Sequence, residues 1–343
     1  MSNKRGIPSY ILAGTITIAL IASAIHSDKL AANQGDTQQP EQTSNLVAPG
    51  ETQSHIPETE EDTGFVKVGD KTFVSGFEAV TTDKTSKPGK DVASEYAILM
   101  NPTTGEIVCQ KNAKKVINPA SMTKILTVLV AAEHVKNLDD VVTIEREETD
   151  YCYMYDCSNA GLVEGDKLTV RELFYGTILP SGADAAIALA KYVAGSHEKF
   201  VEMMNEKVRE LGLSETAHFT NCVGIYDKEL HCTVYDMAMI MKAAVQNDFC
   251  REVLSCHCYT IPESENHPEG IVLSNWFLRR IEDHVEKSQV IAAKTGFVAQ
   301  SGSCAASYGI ANDGTPYICV TGKSYSSWGC IYDHIAMYDK YGE

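Results

Sequence analysis

Positive charge is what this chain has least of. Its 343 residues carry 29 Lys and Arg against 46 Asp and Glu, a formal net charge of −17. Nucleic-acid binding needs basic surface that displaces counterions, so that class is excluded. The carboxylate surplus favours a soluble monomer. No internal repeat is present, and none of the ten histidines belongs to a motif that would recruit it. The eleven cysteines lack the C-x2-C pairing of structural zinc sites, so Cys250, Cys256, His257 and Cys258 are not read as a metal centre. Most are read as small buried hydrophobes. Cys152 with Cys157, and Cys222 with Cys232, are near enough in sequence to pair in an exported protein, and an odd count leaves one thiol over.

With 44% hydrophobic residues a sizeable core is available. Lys4 and Arg5 precede an apolar stretch from Ile7 to Ile25. As a helix it reaches about 28 Å, near the hydrocarbon thickness of a bilayer. Basic residues before it and acidic ones after it place the body of the chain outside the cell. Ala22-Ser23-Ala24 resembles a cleavage site, so residues 1–27 read as a signal peptide or an N-terminal membrane anchor. Residues 28–91 read as a polar, largely disordered linker, with a loose hairpin between Gly64 and Val80. Residues 92–343 form the expected globular domain.

Within it, Tyr96–Met100 and Ile107–Cys109 flank the turn-rich Asn101 to Gly105 and read as a β-hairpin. Cys152 to Gly165 reads as irregular. Thr169 with Glu172 is a capping box opening a helix, an alanine-rich helix follows Pro180-Ser181-Gly182, and helices are expected at 197–211 and 233–246. After Val290 the pattern changes to short strands (290–294, 302–310, 317–321), then a closing helix at 328–338. Strands at both ends with helices between imply one α+β unit whose first hairpin joins the last strands.

The best candidate for a reacting centre is Asn118-Pro119-Ala120-Ser121-Met122-Thr123-Lys124, followed by an apolar run. Ser121 and Lys124 are spaced one helical turn apart and share a face. A serine hydroxyl needs a base to become a nucleophile, and lysine serves when burial or a cationic neighbour disfavours its charge. The same spacing in Ser196 to Lys199 follows Gly195 and reads as a helix N-cap.

Two further motifs stand downstream: Ser181-Gly182-Ala183 and Lys294-Thr295-Gly296. The trio resembles the penicillin-binding proteins and serine β-lactamases. The closer likeness is to the low-molecular-weight D-alanyl-D-alanine carboxypeptidases, supported by Met100 to Val108, Phe219 to Ile225 and His231 to Asp236. It covers Ser94 to Asp333 and implies a transpeptidase-like fold: an antiparallel sheet of N- and C-terminal strands around a mainly helical insertion.

The resemblance implies roles. Ser121 attacks the penultimate D-alanine carbonyl of a peptidoglycan stem pentapeptide, Lys124 accepts its proton, and Ser181 relays it to the leaving amine. Lys294 and Thr295 face the substrate carboxylate, and the amides of Ser121 and Phe297 form the oxyanion hole, with Gly296 between Thr295 and Phe297. Lys294 also helps keep Lys124 neutral by repulsion. β-Lactams would acylate the same serine, and no cofactor or metal is called for.

One position departs from the pattern: Ala183 stands where the family has asparagine. That motivates an alternative, a catalytically impaired peptidoglycan-binding or sensor protein. Ser264-Glu265-Asn266 restores the literal motif but lies in a polar loop without the helix that should follow. A β-lactamase would need a loop glutamate that hydrolyses the acyl-enzyme, and no convincing one lies between Ser181 and Lys294. The residues after the closing helix are too few for the further β-rich domain and C-terminal anchor of many relatives, so attachment is expected through the N-terminus.

Overall fold

A computed structural model describes residues 65–68, 71–74 and 76–342, all within one compact unit. The expected signal or anchor at residues 1–27, and the polar stretch to residue 64, lie outside the described residues. Among those described, no helix is long and apolar enough to cross a membrane.

Six strands form the main sheet: β1 (Val80–Ser86), β2 (Tyr96–Met100), β3 (Glu106–Lys111), β4 (Ser288–Val298), β5 (Gly302–Ala311) and β6 (Pro316–Ser324). Their order is β4-β5-β6-β2-β3-β1, so the last strand pairs directly with the expected first hairpin. That hairpin closes because the Asn101 side chain accepts the amides of Thr103 and Thr104, and because Gly105 takes φ 72°. A Cβ at Gly105 would lie 2.8 Å from the Glu78 carbonyl.

The period-two alternation of the strands divides the core. Ile98, Met100, Ala292, Cys304, Ala306, Ile318 and Val320 face one hydrophobic cluster. Ala97, Leu99, Ala293, Ala305 and Cys319 face a smaller one on the other side. The smaller cluster is covered by α8 (Leu278–Ile281) and α9 (Ser327–Tyr341). Asp333 of α9 is buried and accepts the amides of Ala93 and Ser94, which ties the closing helix to the entry of β2.

The larger cluster is covered by α1 (Thr123–His134), α2 (Arg146–Met154), α3 (Val170–Ile178), α4 (Ala183–Ala194), α5 (His197–Glu210), α6 (Val234–Gln246) and α7 (Asp248–Leu254). Helix α1 is buried from Thr123 to Ala131, which explains why its sequence is apolar all round. Burying each large aliphatic side chain there contributes about 1.5–3 kcal/mol. Capping boxes open α3 (Thr169 with Glu172) and α6 (Thr233 with Asp236), and Ser196 caps α5.

The expectation of a linker through residue 91 is corrected at its end: Val80–Ser86 is a paired strand. Because β1 runs parallel to β3, the sheet is mixed rather than wholly antiparallel. The expected loose hairpin is present as Phe65–Val68 paired with Lys71–Val74. Helix α2 runs into the segment expected to be irregular, as far as Met154. All eleven cysteines are free thiols, so neither expected disulfide forms. Cys222 and Cys250 instead donate to the carbonyls of Ala186 and Val128.

Candidate active site

The reacting turn is built by the residues before α1. Asn118 Oδ1 accepts the Ala120 amide at 3.0 Å, and the Pro119 carbonyl accepts from Met122 at 3.2 Å. Ala120 is held in the left-handed region, at φ 47°, a strained state for a residue with a Cβ. Residues Ala120–Met122 form a 3-10 turn that leads into α1. Ser121 is half-buried at its centre.

Lys124, one turn on, is 2% exposed and sends its Nζ to Ser121 Oγ at 3.3 Å and to the Val223 carbonyl at 2.8 Å. Burial pulls this ammonium down to about 8, against the opposing pull of Cys222, Cys157, Cys152 and Asp184. About a tenth of it is then neutral at pH 7, and more above. The expected repulsion from Lys294 is not the leading cause; desolvation is.

The Val223 carbonyl is aimed by Asn221. Its Oδ1 accepts the amides of Val223, Gly224 and Ile225 at 3.2, 2.6 and 3.2 Å, and its Nδ2 donates to the Ile225 carbonyl at 3.1 Å. This turn lies hard against the turn that holds Ser121, since a Cβ at Gly224 would overlap the Ala120 carbonyl at 1.9 Å. Asn221 and Val223 lie within Phe219 to Ile225, a stretch that supports the resemblance, but the sequence assigned neither of them a role. A backbone acceptor is invisible to residue type.

The third motif lies on β4, an edge strand. Lys294 pairs across with Ala306, which faces the helical cluster, so its side chain enters the cleft. It is 2% exposed and bonds Ser181 Oγ at 3.0 Å and the Thr295 carbonyl at 2.8 Å. Burial, then the charge of Lys124, holds it well below the usual lysine range. Gly296 passes the Ser121 turn so closely that a Cβ would lie 2.9 Å from both the Ser121 nitrogen and the Pro119 carbonyl. Cys304, paired opposite Gly296, donates to that same Pro119 carbonyl at 3.4 Å. Thr295 is half-buried, and Phe297 is 68% exposed at the cleft mouth.

The second motif turns sharply into α4. Ser181 takes φ 65°, again left-handed, and the Gly182 amide donates to the Gly176 carbonyl. Ala183 is buried and gives its amide to the Ser158 carbonyl at 2.9 Å. Asp184 accepts from the amides of Ala160 and Leu162, fixing the segment after α2 beside the motif. Ala183 offers Lys124 only a methyl, and the Lys124 ammonium bonds Ser121 Oγ and the Val223 carbonyl instead.

The expected decoys are structural. Ser196 accepts the Lys199 amide as an N-cap. Asn266 donates to Asp166 at 2.8 Å, 100 residues away in sequence, in a loop also pinned by His267. Cys250, Cys256, His257 and Cys258 do not gather. Among the described residues the one group that could hold a metal is Glu145, Glu147 and Glu148, and Lys191 occupies it with ion pairs to all three.

The three motifs, separated by up to 173 positions, thus meet in one cleft. A profile of D-alanyl-D-alanine carboxypeptidases (peptidase S11) matches residues 81–321. The chain belongs to this family. It is 36% identical over 180 residues to the D-alanyl-D-alanine carboxypeptidase DacD of Escherichia coli, covering 51% of this chain and 46% of that protein. To the D-alanyl-D-alanine carboxypeptidase of Streptomyces sp. strain K15 it is 38% identical over 182 residues, covering 51% and 62%. The crystal structure of the Streptomyces K15 DD-transpeptidase superposes with a TM-score of 0.68 at 29% identity, over 75% of this chain and 99% of that one. The matched stretch spans about half the length of the curated relatives. The architecture of this S11 member is therefore the α+β, transpeptidase-like fold.

Proposed function

We propose that this chain is an exported serine peptidase that releases the terminal D-alanine from peptidoglycan stem pentapeptides. The observation that carries the reading is the pairing of Ser121 Oγ with Lys124 Nζ at 3.3 Å, beside a strand that brings Lys294 to Ser181 at 3.0 Å. Neutral Lys124 takes the Ser121 proton as Oγ bonds to the carbonyl carbon of the penultimate D-alanine. The resulting oxyanion sits between the amides of Ser121 and Phe297, where each donor is worth about 3–4 kcal/mol. Collapse breaks the C–N bond, and the proton on Lys124 passes through the Ser181 hydroxyl to the leaving amine. Lys124, neutral again, accepts a proton from the water that attacks the acyl-enzyme, and returns it to Ser121 Oγ as the ester breaks. Lys294 and Thr295 pair with the substrate carboxylate. The peptide lies antiparallel along the free edge of β4. β-Lactams enter the same path and stop at the acyl-enzyme.

Membrane attachment through residues 1–27 and a monomeric state belong to the same proposal, on the strength of the apolar stretch and the net charge of −17. The test is labelling with a fluorescent penicillin together with D-alanine release from a pentapeptide. Both are expected in the native chain and neither in Ser121→Ala. Labelling or peptide binding without release would favour the impaired, sensor-type reading that Ala183 motivates.

A further inference from the structure

The chain has two tryptophans, and both stand at one spot on the side of the sheet covered by α8 and α9. Trp276 precedes α8 and Trp328 opens α9, with ring centres 5.9 Å apart. The Arg280 guanidinium lies over both, 4.2 Å from the Trp276 ring and 5.6 Å from that of Trp328. Its Nη1 donates to the Trp276 carbonyl at 3.2 Å, which holds the plane in place. Tyr332, one turn along α9, stacks with Trp328 at 5.9 Å and 26°. Tyr325 lies against the first turn of α9, where a Cβ at Gly329 would stand 2.9 Å from its ring. Tyr325 is 77% exposed, Tyr332 54% and Trp328 42%. A contiguous aromatic surface of this kind, left in water, marks a contact with something else. The catalytic steps make no use of it.

Strand register ties the patch to one end of the cleft. Phe297 pairs with Ser303, and Ser303 with Ser324, so the three share a face. That face is the one towards α9, since Ser324 Oγ donates to Asp333. Exposed Phe297, and Tyr325 directly after Ser324, therefore put aromatic rings at this end of the sheet. A peptide lying antiparallel on the β4 edge points its amino end towards the β4–β5 turn, the same end. In a stem peptide the amino end is the one joined to the sugar chain. The polymer's glycan is thus carried towards the rings.

We infer that this patch is a docking surface for the glycan strand of the polymer whose stem peptides enter the cleft. One face of a pyranose ring is lined by C–H groups, polarised by the neighbouring oxygens, and these meet the negative face of an aromatic ring. The Trp328 and Tyr332 ring centres are spaced like successive rings of a β-1,4-linked sugar chain. Arg280 has N–H groups beyond the one given to Trp276, and these suit hydroxyl and acetamido oxygens. An anionic bilayer is the poorer occupant: the chain's net charge is −17, and the rings stack on one another rather than standing apart. The choice of sugar chain rests on the peptidase reading above.

Because both tryptophans lie in the patch, intrinsic fluorescence reports on it directly. Titration with the β-1,4-linked tetramer of N-acetylglucosamine is expected to give a saturable change in the native chain, weakened roughly three- to tenfold in Tyr332→Ala. For Tyr332→Ala and Trp328→Ala, checked as folded by their melting curves, D-alanine release from a soluble pentapeptide is expected to stay within about twofold of the native rate. Release from pentapeptides still joined to wall glycan is expected to fall roughly three- to tenfold, in KM rather than kcat. No saturable change with the tetramer, no loss on the glycan-linked substrate, or an equal loss on both substrates overturns the glycan surface and leaves the peptidase intact. A change produced by phosphatidylglycerol vesicles and not by the sugar overturns it in favour of a membrane contact. Release from neither substrate by the native chain, with no penicillin labelling, overturns the peptidase reading and leaves the sugar titration alone to decide the surface.

Discussion

Gly296 and Ser121 touch backbone to backbone: a single methyl on the glycine would stand 2.9 Å from the serine nitrogen. Cys304 Sγ, at 2.8 Å from the same point, blocks retreat on the other side. The contact sets the distance between the strand that carries Lys294 and the Ser121 hydroxyl. Gly296→Ala is therefore expected to cut penicillin acylation by roughly 100-fold, the cost of about an ångström of misplacement. Overpacking should remove about 1–3 kcal/mol of stability. Acylation rates and a melting curve measure the two; an unchanged acylation rate would break the link between this contact and the chemistry.

The base sets a pH limb. In the proposed role Lys124 accepts a proton only when neutral, and its ammonium is pulled down to about 8. Acylation by a penicillin should rise with pH through about 8 and level off above it, at constant ionic strength. A rate flat from pH 6 to pH 10 would exclude Lys124 as the proton acceptor.

Lys294 makes a separate prediction. It is held well below the usual lysine range by burial and by Lys124. An arriving carboxylate favours the charged form, so binding should take up a proton at neutral to alkaline pH. Calorimetry of a D-alanyl-D-alanine peptide binding to Ser121→Ala, in buffers of different ionisation enthalpy, reads that uptake directly. Lys294→Gln should abolish it.

Asn221 should act through Lys124. Asn221→Ala leaves three amides without their acceptor, costing about 1–3 kcal/mol for each that stays buried and unpaired. Acylation should fall with it. Asn221→Asp keeps the acceptor and adds a negative charge near the ammonium, which favours the charged base. Its pH limb should move upward, and an unmoved limb would reduce Asn221 to a purely structural residue.

His334 is the acid-sensitive point of the core. It is fully buried between Ser307 Oγ at 2.8 Å and Thr321 Oγ1 at 3.1 Å, and burial pulls its imidazole down to about 3. Between pH 6.5 and about 3 the unfolded chain holds a proton there that the folded chain refuses. Stability is thus full above pH 6.5 and falls as pH drops, by up to about 1.4 kcal/mol per unit. Denaturant titrations of the native chain and His334→Gln should show the smaller slope in the variant.

Much of this was legible beforehand, and for identifiable reasons. The capping box at Thr169 and the cap at Ser196 are local chemistry, and the structure contains them. Helix α1 was legible from its unbroken apolar run. Strand β1 was not, because Thr81 to Ser86 is polar and gains its place only by pairing with β3 at the sheet edge. Helix α2 was missed for a similar reason: its first turn is charged, with Glu147 and Glu148 bound to Lys191, and only Cys152 with Tyr151 beside it reaches the core. The motif residues could be listed from the sequence, but not the Val223 carbonyl, which depends on a turn and not on a side chain. Nor could the eleven thiols be sorted, since pairing is a property of space.

The adjacency of β6 and β2 sets a schedule for the growing polypeptide. Ser121 and Lys124 are made early, and Lys294 more than 160 positions later, on a hairpin joined through β6 to the opening strands. A ribosome-bound fragment that stops short of β4 holds the first two motifs without the strand that faces them. The cleft has both walls only once the tail has been delivered to the head.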